Sequence, residues 1–168
     1  VGRRRFPEVS HEHVQSLAEL PVAASQHRSR YDLLPHATSM TTREAARRAG
    51  VPPQQMAKPV ILDDFQGHWL MAVVPASRQV DLHKVHKLTR RNWRLAREGD
   101  FSARFEDCAP GAIPAVGSLF GLETLIDESL GEQADIYFEA GDHNAVVHMS
   151  GRQYLELMPE ARQGRFCE

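Results

Sequence analysis

Residues 57–77, AKPVILDDFQGHWLMAVVPAS, restrict the fold more than any other part of the chain. Two apolar runs, 59–62 and 69–74, flank a polar break at 63–67 that ends in Gly67, a residue free to take a positive φ. This arrangement predicts a β-hairpin with a slightly long loop. In the second run Leu70, Ala72 and Val74 alternate with Trp69, Met71 and Val73, so both faces are apolar. Such a strand needs cover on both sides. Lys58 stands at the entrance to the pair. A charge there either reaches out to water or is aimed into a pocket that the sheet holds rigid.

With 168 residues, 42% of them hydrophobic, the chain can build one domain with a proper core. No stretch approaches eighteen consecutive apolar residues, so no membrane span and no membrane partner are expected. The opening VGRRRFPEVS lacks the apolar centre of a secretory signal. The two cysteines, Cys108 and Cys167, form no CxxC and no metal spacing, which points to free thiols in a reducing, cytoplasmic setting. The net charge of −2 hides a split: residues 1–100 carry 16 Lys and Arg against 10 Asp and Glu, and residues 101–168 carry 4 against 12. A basic face able to meet a polyanion is one reading of that split, and two solvated surfaces are the other.

Along the chain, Ser10, Val14, Leu17, Ala18 and Pro21 predict one short helix within an N-terminal extension, residues 1–30. A short strand over 31–34 precedes a helix over 43–49, capped by Thr41 or Thr42 and ended by Gly50. A second helix, 82–88, starts at Asp81 and turns Leu82, Val85 and Leu88 inward. Lys84, Lys87 and Arg91 then line one outer stripe. Further expectations are a strand at 93–96, a short helix at 100–105, and a turn-rich loop, PGAIPAVG, at 110–117. Three strands follow at 123–126, 136–139 and 145–149, and a last helix at 153–157 is capped by Ser150. Short strands mixed with helices, without strict βαβ alternation, predict an α/β domain over 31–168 with a mixed, curled, barrel-like sheet surrounded by helices.

In order, the segments HATSMTTREAARRAGVPPQQMAKPVIL, LMAVVPAS, VDLHKVHK, PGAIPAVG, GLETLIDESL and AGDHN resemble the YbaK-like aminoacyl-tRNA deacylases, relatives of the editing domain inserted in bacterial prolyl-tRNA synthetases. The resemblance runs from about residue 31 to residue 165. It implies a hydrolase of translation fidelity that acts in trans on mischarged aminoacyl-tRNA, most readily tRNA(Pro) carrying a wrong small amino acid. The partners it implies are the aminoacyl-tRNA and an aminoacyl-tRNA synthetase. The family's essential lysine falls on Lys58 and its catalytic loop on 111–117, with Gly111 and Ala112 as catalytic backbone. The histidine of the synthetase-embedded relatives falls on His143, and there it implies a contact to the terminal ribose. Two positions depart from the pattern: Ala112 stands where glycine is frequent, and the loop proline comes one place early, as Pro114 rather than at Ala115.

An aminoacyl ester is already activated, so its hydrolysis needs little beyond a placed water and support for an oxyanion, which preorganised backbone amides can give. Gly111 and Ala112 carry almost no side chain and leave that backbone bare. Ile113, Pro114, Val116 and Gly117, with His36, are the candidate substrate-binding residues. Lys84, Lys87 and Arg91 are either a phosphate-contacting stripe or a solvated helix face. Nine histidines raise metal binding, but no HExxH is present and His83 and His86 make only a loose pair. The expectation is a metal-free, cofactor-free enzyme. The rival reading is a non-catalytic module of the same fold that binds tRNA or a synthetase.

Overall fold

The computed structural model describes residues 31–168; the helix expected over 10–21 lies outside the described residues. The order is β1 (Asp32–Pro35), α1 (Thr42–Ala49), β2 (Ala57–Asp63), β3 (Trp69–Pro75), α2 (Leu82–Thr89), β4 (Arg94–Leu95) and α3 (Glu98–Phe101). Then come β5 (Glu123–Asp127), α4 (Glu128–Gly131), β6 (Asp135–Glu139), β7 (Ala145–Ser150), α5 (Gly151–Glu156) and β8 (Arg162–Gly164). Single 3-10 turns at Ser102–Phe105 and Gly117–Phe120 bracket the glycine–proline loop.

The hairpin forms as its pattern requires, with Lys58 opposite Val74 and Asp63 opposite Trp69. Its loop is built by two aspartates. Asp63 accepts the N–H of Phe65, and Asp64 accepts those of Gln66 and His68. Gly67 takes φ 88°. The two faces of β3 serve two cores. Met71 and Val73 pack with Ile126, Ile136, Phe138 and Tyr154, while Leu70, Ala72 and Val74 pack with Val85, Trp93 and Phe166. Each fully buried Leu, Ile, Val or Met side chain among them is worth about 1.5–3 kcal/mol relative to exposure.

The strands do not make the expected curled, barrel-like sheet. They divide into a three-stranded antiparallel sheet, β1–β7–β6, and a five-stranded mixed sheet, β4–β2–β3–β5–β8. β5 runs parallel to β3 and to β8. One bridge, between Met56 and Tyr137, links the sheets, and the Tyr137 N–H donates to the Gln55 carbonyl across it. The five-stranded sheet ends in strands of two and three residues, which offer too little ladder to close on themselves.

Helix ends follow their caps. Thr41 accepts from the Glu44 N–H and Gly50 closes α1 at φ 69°. Asp81 accepts from His83 and Lys84 at the start of α2, and Ser150 with Gln153 makes a capping box on α5. Asp127, almost fully buried, accepts from the N–H groups of Phe166 and Cys167 and so ties down the C-terminal segment. Gln79 and Glu168 exchange backbone hydrogen bonds beside the bridge from Val80 to Cys167.

Candidate active site

The sequence Ala109-Pro110-Gly111-Ala112 closes a β-turn in which the Ala112 N–H donates to the Ala109 carbonyl at 3.0 Å. Proline at its second position and Gly111 at φ 78° in its third are the residues a type II turn demands. The central peptide, Pro110 to Gly111, is held from behind. His143 Nε2 donates to the Pro110 carbonyl. A trans peptide is planar, with C=O and N–H on opposite sides, so the Gly111 N–H faces away from His143. Neither the Gly111 nor the Ile113 N–H finds an acceptor among the described residues, whereas that of Ala112 is engaged in the turn.

A Cβ on Gly111 would fit only tightly, 3.3 Å from the Met40 carbonyl oxygen and 3.4 Å from His143 Cε1, so it is the left-handed conformation that asks for glycine here. His143 itself takes φ 61° and is buried. Its loop is clamped from both sides. Ser39 N–H donates to the His143 carbonyl and His36 N–H to that of Asn144, while Ala109 N–H donates to Gly141. Thr38 adds a hydroxyl bond to the Asn144 side chain. On the far side of the glycine–proline loop, the buried Tyr154 hydroxyl donates to the Ala115 carbonyl.

Lys58, Gly111 and Ile113 line one cavity of about 370 Å³, together with Thr41, Thr42 and Ile61. Lys58 is half-buried, and its amine donates to the Arg78 carbonyl at 2.7 Å. Among the described residues no carboxylate pairs with it. Burial, and then the nearby Arg43 charge, pull its pKa below the ordinary lysine range against a smaller opposing effect of Cys167.

The remaining expected site residues lie elsewhere. Ala112, Pro114, Val116 and Gly117 are buried within the loop and do not line this cavity. Gly117 is there for packing, because a Cβ would come within 1.9 Å of Thr124 Oγ1. His36 is half-buried on the segment joining β1 to α1, with Nδ1 2.7 Å from the Ala37 carbonyl. Lys84 is tied to Asp81 at 3.4 Å and to the Cys167 carbonyl at 3.2 Å, while Lys87 and Arg91 are exposed. Helix α2, which carries Lys84 and Lys87, packs against the Leu70–Ala72–Val74 face of β3, opposite the face that meets Ile113; Arg91 follows its C-cap. No group of three His, Cys, Asp or Glu side chains able to hold a metal occurs among the described residues.

Residues 36–157 match the family model for the aminoacyl-tRNA editing domain. The chain belongs to that family. Two solved structures share the fold of this editing domain. The crystal structure of the hypothetical protein APE2540 is 21% identical with a TM-score of 0.77, covering 92% of this chain and all of its own. That of "a putative trans-editing enzyme for prolyl tRNA synthetase" is 22% identical with a TM-score of 0.75, covering 91% of this chain and 97% of its own. No curated protein matches the sequence.

Three features of this editing domain escape a reading of its sequence. Thr41 and Thr42 show only as helix-capping residues, yet they also line the cavity beside Lys58. Glu98 and Phe101 line it too, from a short helix with no marked pattern of its own. Glu139 is fully buried at the end of β6, neither carboxylate oxygen has a hydrogen-bond partner among the described residues, and burial with the Asp142 charge pushes its pKa to about 8. A lone acid after the apolar run Ile136–Tyr137–Phe138 is the only signal of it in the sequence.

Proposed function

We propose that this editing domain, residues 31–168, is an aminoacyl-tRNA deacylase that hydrolyses the ester between a wrong small amino acid and the terminal ribose of a tRNA. tRNA(Pro) is the carrier in our reading, and the enzyme acts in trans. The observation that carries the reading is the Gly111 peptide: its N–H is turned away from His143, at a cavity whose wall also includes Lys58. In the reaction a water oxygen attacks the ester carbonyl and the oxyanion forms against the N–H groups of Gly111 and Ile113. Collapse breaks the bond to the ribose oxygen, which leaves as the hydroxyl with one proton of the attacking water; the other proton passes to solvent, and the amino acid departs as its carboxylate. Lys58, a cation without an ionic partner among the described residues, steers the substrate's electron-rich oxygens into place. Ile113 and Ile61 bound the room for the amino-acid side chain.

His143 serves this chemistry by positioning: buried and bonded to Pro110, it aims the amide. The chemistry here asks for no metal and no cofactor. Incubation with a panel of aminoacyl-tRNAs, among them alanyl-tRNA(Pro), tests the reading; release of amino acid from at least one is the expected result. A second reading, a non-catalytic module that binds tRNA or a synthetase, draws support from the Lys58 amine's bond to Arg78 and from Pro114 standing one place early. Retained tRNA binding with no release from any member of the panel decides for it.

A further inference from the structure

His143 holds the Pro110 carbonyl through Nε2, so in the neutral ring Nδ1 is left as an acceptor. That Nδ1 is buried and has no hydrogen-bond partner among the described residues. Ser39 Oγ and both carboxylate oxygens of Glu139 are in the same condition, and Ser39 and Glu139 are fully buried. The three residues belong to one corner of the fold. Ser39 N–H bonds the His143 carbonyl, and Glu139 opens the loop that contains His143 and that Ala140 and Ala145 close. Glu139 pairs with Val146, and directly paired residues share a face of the sheet. Val146 packs with Ala45 and Ala46 of α1, so the carboxyl stands on the side where the chain from Ser39 enters that helix.

The groups are complementary. Burial, and then the Asp142 charge on the same loop, keep the proton on Glu139 at neutral pH, and a carboxylic acid donates as well as accepts. Buried polar groups of this kind are satisfied by ordered water, each molecule making about three hydrogen bonds. For the fold alone an aliphatic side chain would be the cheaper choice at this position. Resting on the deacylase reading, we propose that Glu139 is a positioning residue: its carboxyl proton, relayed by ordered water shared with the Ser39 hydroxyl, satisfies His143 Nδ1 and holds the ring's own proton on Nε2, facing the Pro110 carbonyl. Without that donor the ring proton divides between the two nitrogens. In the Nδ1–H form the Nε2 lone pair faces the Pro110 oxygen, and the turn is released.

The test reads the tautomer directly, by nitrogen NMR of the His143 ring in the full chain, with kcat and KM measured alongside. The parent at neutral pH is expected to carry its proton on Nε2 alone, with Nδ1 accepting a hydrogen bond. Glu139→Leu is expected to show both tautomers and to lose kcat by about tenfold, with KM moved less. Glu139→Gln, whose amide also donates, is expected to restore the single tautomer and most of kcat, and urea melts show whether both variants are folded. A proton on Nδ1 in the parent overturns the proposal and requires no variant to fold. An unchanged tautomer in folded Glu139→Leu, or a Glu139→Gln as impaired as Glu139→Leu, overturns it too. If the amino-acid release panel is silent but the tautomer responds as expected, the deacylase reading fails and the link from Glu139 to His143 stands. Hydrolysis with a tautomer indifferent to Glu139 overturns the link and leaves the deacylase reading in place.

Discussion

His143 and Gly111 are joined through one peptide plane: the imidazole bonds the Pro110 carbonyl, and the Gly111 amide points the other way because that plane is rigid. The direction of that amide is therefore set by a buried side chain more than thirty residues away in sequence. Every clamp on the 140–144 loop, from Ser39, His36 and Ala109, acts on the same direction.

Replacing that imidazole tests the linkage. His143→Ala leaves the Pro110 carbonyl without its donor and frees the turn, and we expect kcat to fall by roughly 10²-fold with a smaller change in KM. His143→Gln, which can restore a donor to Pro110, should recover part of the loss. A ribose contact made by His143 instead predicts a rise in KM, which steady-state kinetics on both variants would reveal.

Lys58→Met should separate activity from stability. Its lowered pKa means the folded protein disfavours the charged amine, so the native state gains stability as pH rises from that lowered value towards the ordinary 10.5. The methionine variant should lose this pH dependence and unfold no earlier than the parent at pH 7 in a thermal melt. Deacylation should nonetheless drop by about 10²-fold or more.

Glu139 gives a pH signature of the opposite sense. With a folded pKa of about 8 against an ordinary 4.5, the folded chain holds its proton more tightly than the unfolded one. Its contribution is complete below about pH 4.5 and is lost as pH climbs through 8. Glu139→Gln should remove this slope and exceed the parent in stability at pH 8.5 by at least about 1 kcal/mol. Urea melts at pH 6 and 8.5 measure both effects.

Tyr154→Phe deletes the hydroxyl that holds the Ala115 carbonyl and leaves a buried acceptor unmatched. The expected cost is about 1–3 kcal/mol in chemical denaturation. Because α5 then no longer grips the glycine–proline loop, amide exchange over 111–117 should quicken.

Much of the scaffold is legible in the sequence because the signals are local. The two-faced pattern of Leu70 to Val74, the caps Thr41, Asp81 and Ser150, and the closing Gly50 each state their structure within a few residues. β8 is not legible: Arg162–Gly164 is three residues long and mostly exposed, and it becomes a strand only because β5 and Asp127 receive it. The division into two sheets depends on strand pairings remote in sequence, which no window of residues records. Lys58 and Gly111 are visible as candidates through the family resemblance. Their shared cavity and the bond from His143 to Pro110 are products of tertiary packing.

The pairing of Gln79 with Glu168 backs the segment that holds the Lys58 amine. Arg78, whose carbonyl holds the Lys58 amine, is the residue just before that pairing. Removing residues 164–168 would unfasten the strap behind the lysine and also take Phe166 out of the core it fills with Leu70 and Val74, so loss of Lys58 alignment and loss of stability should come together.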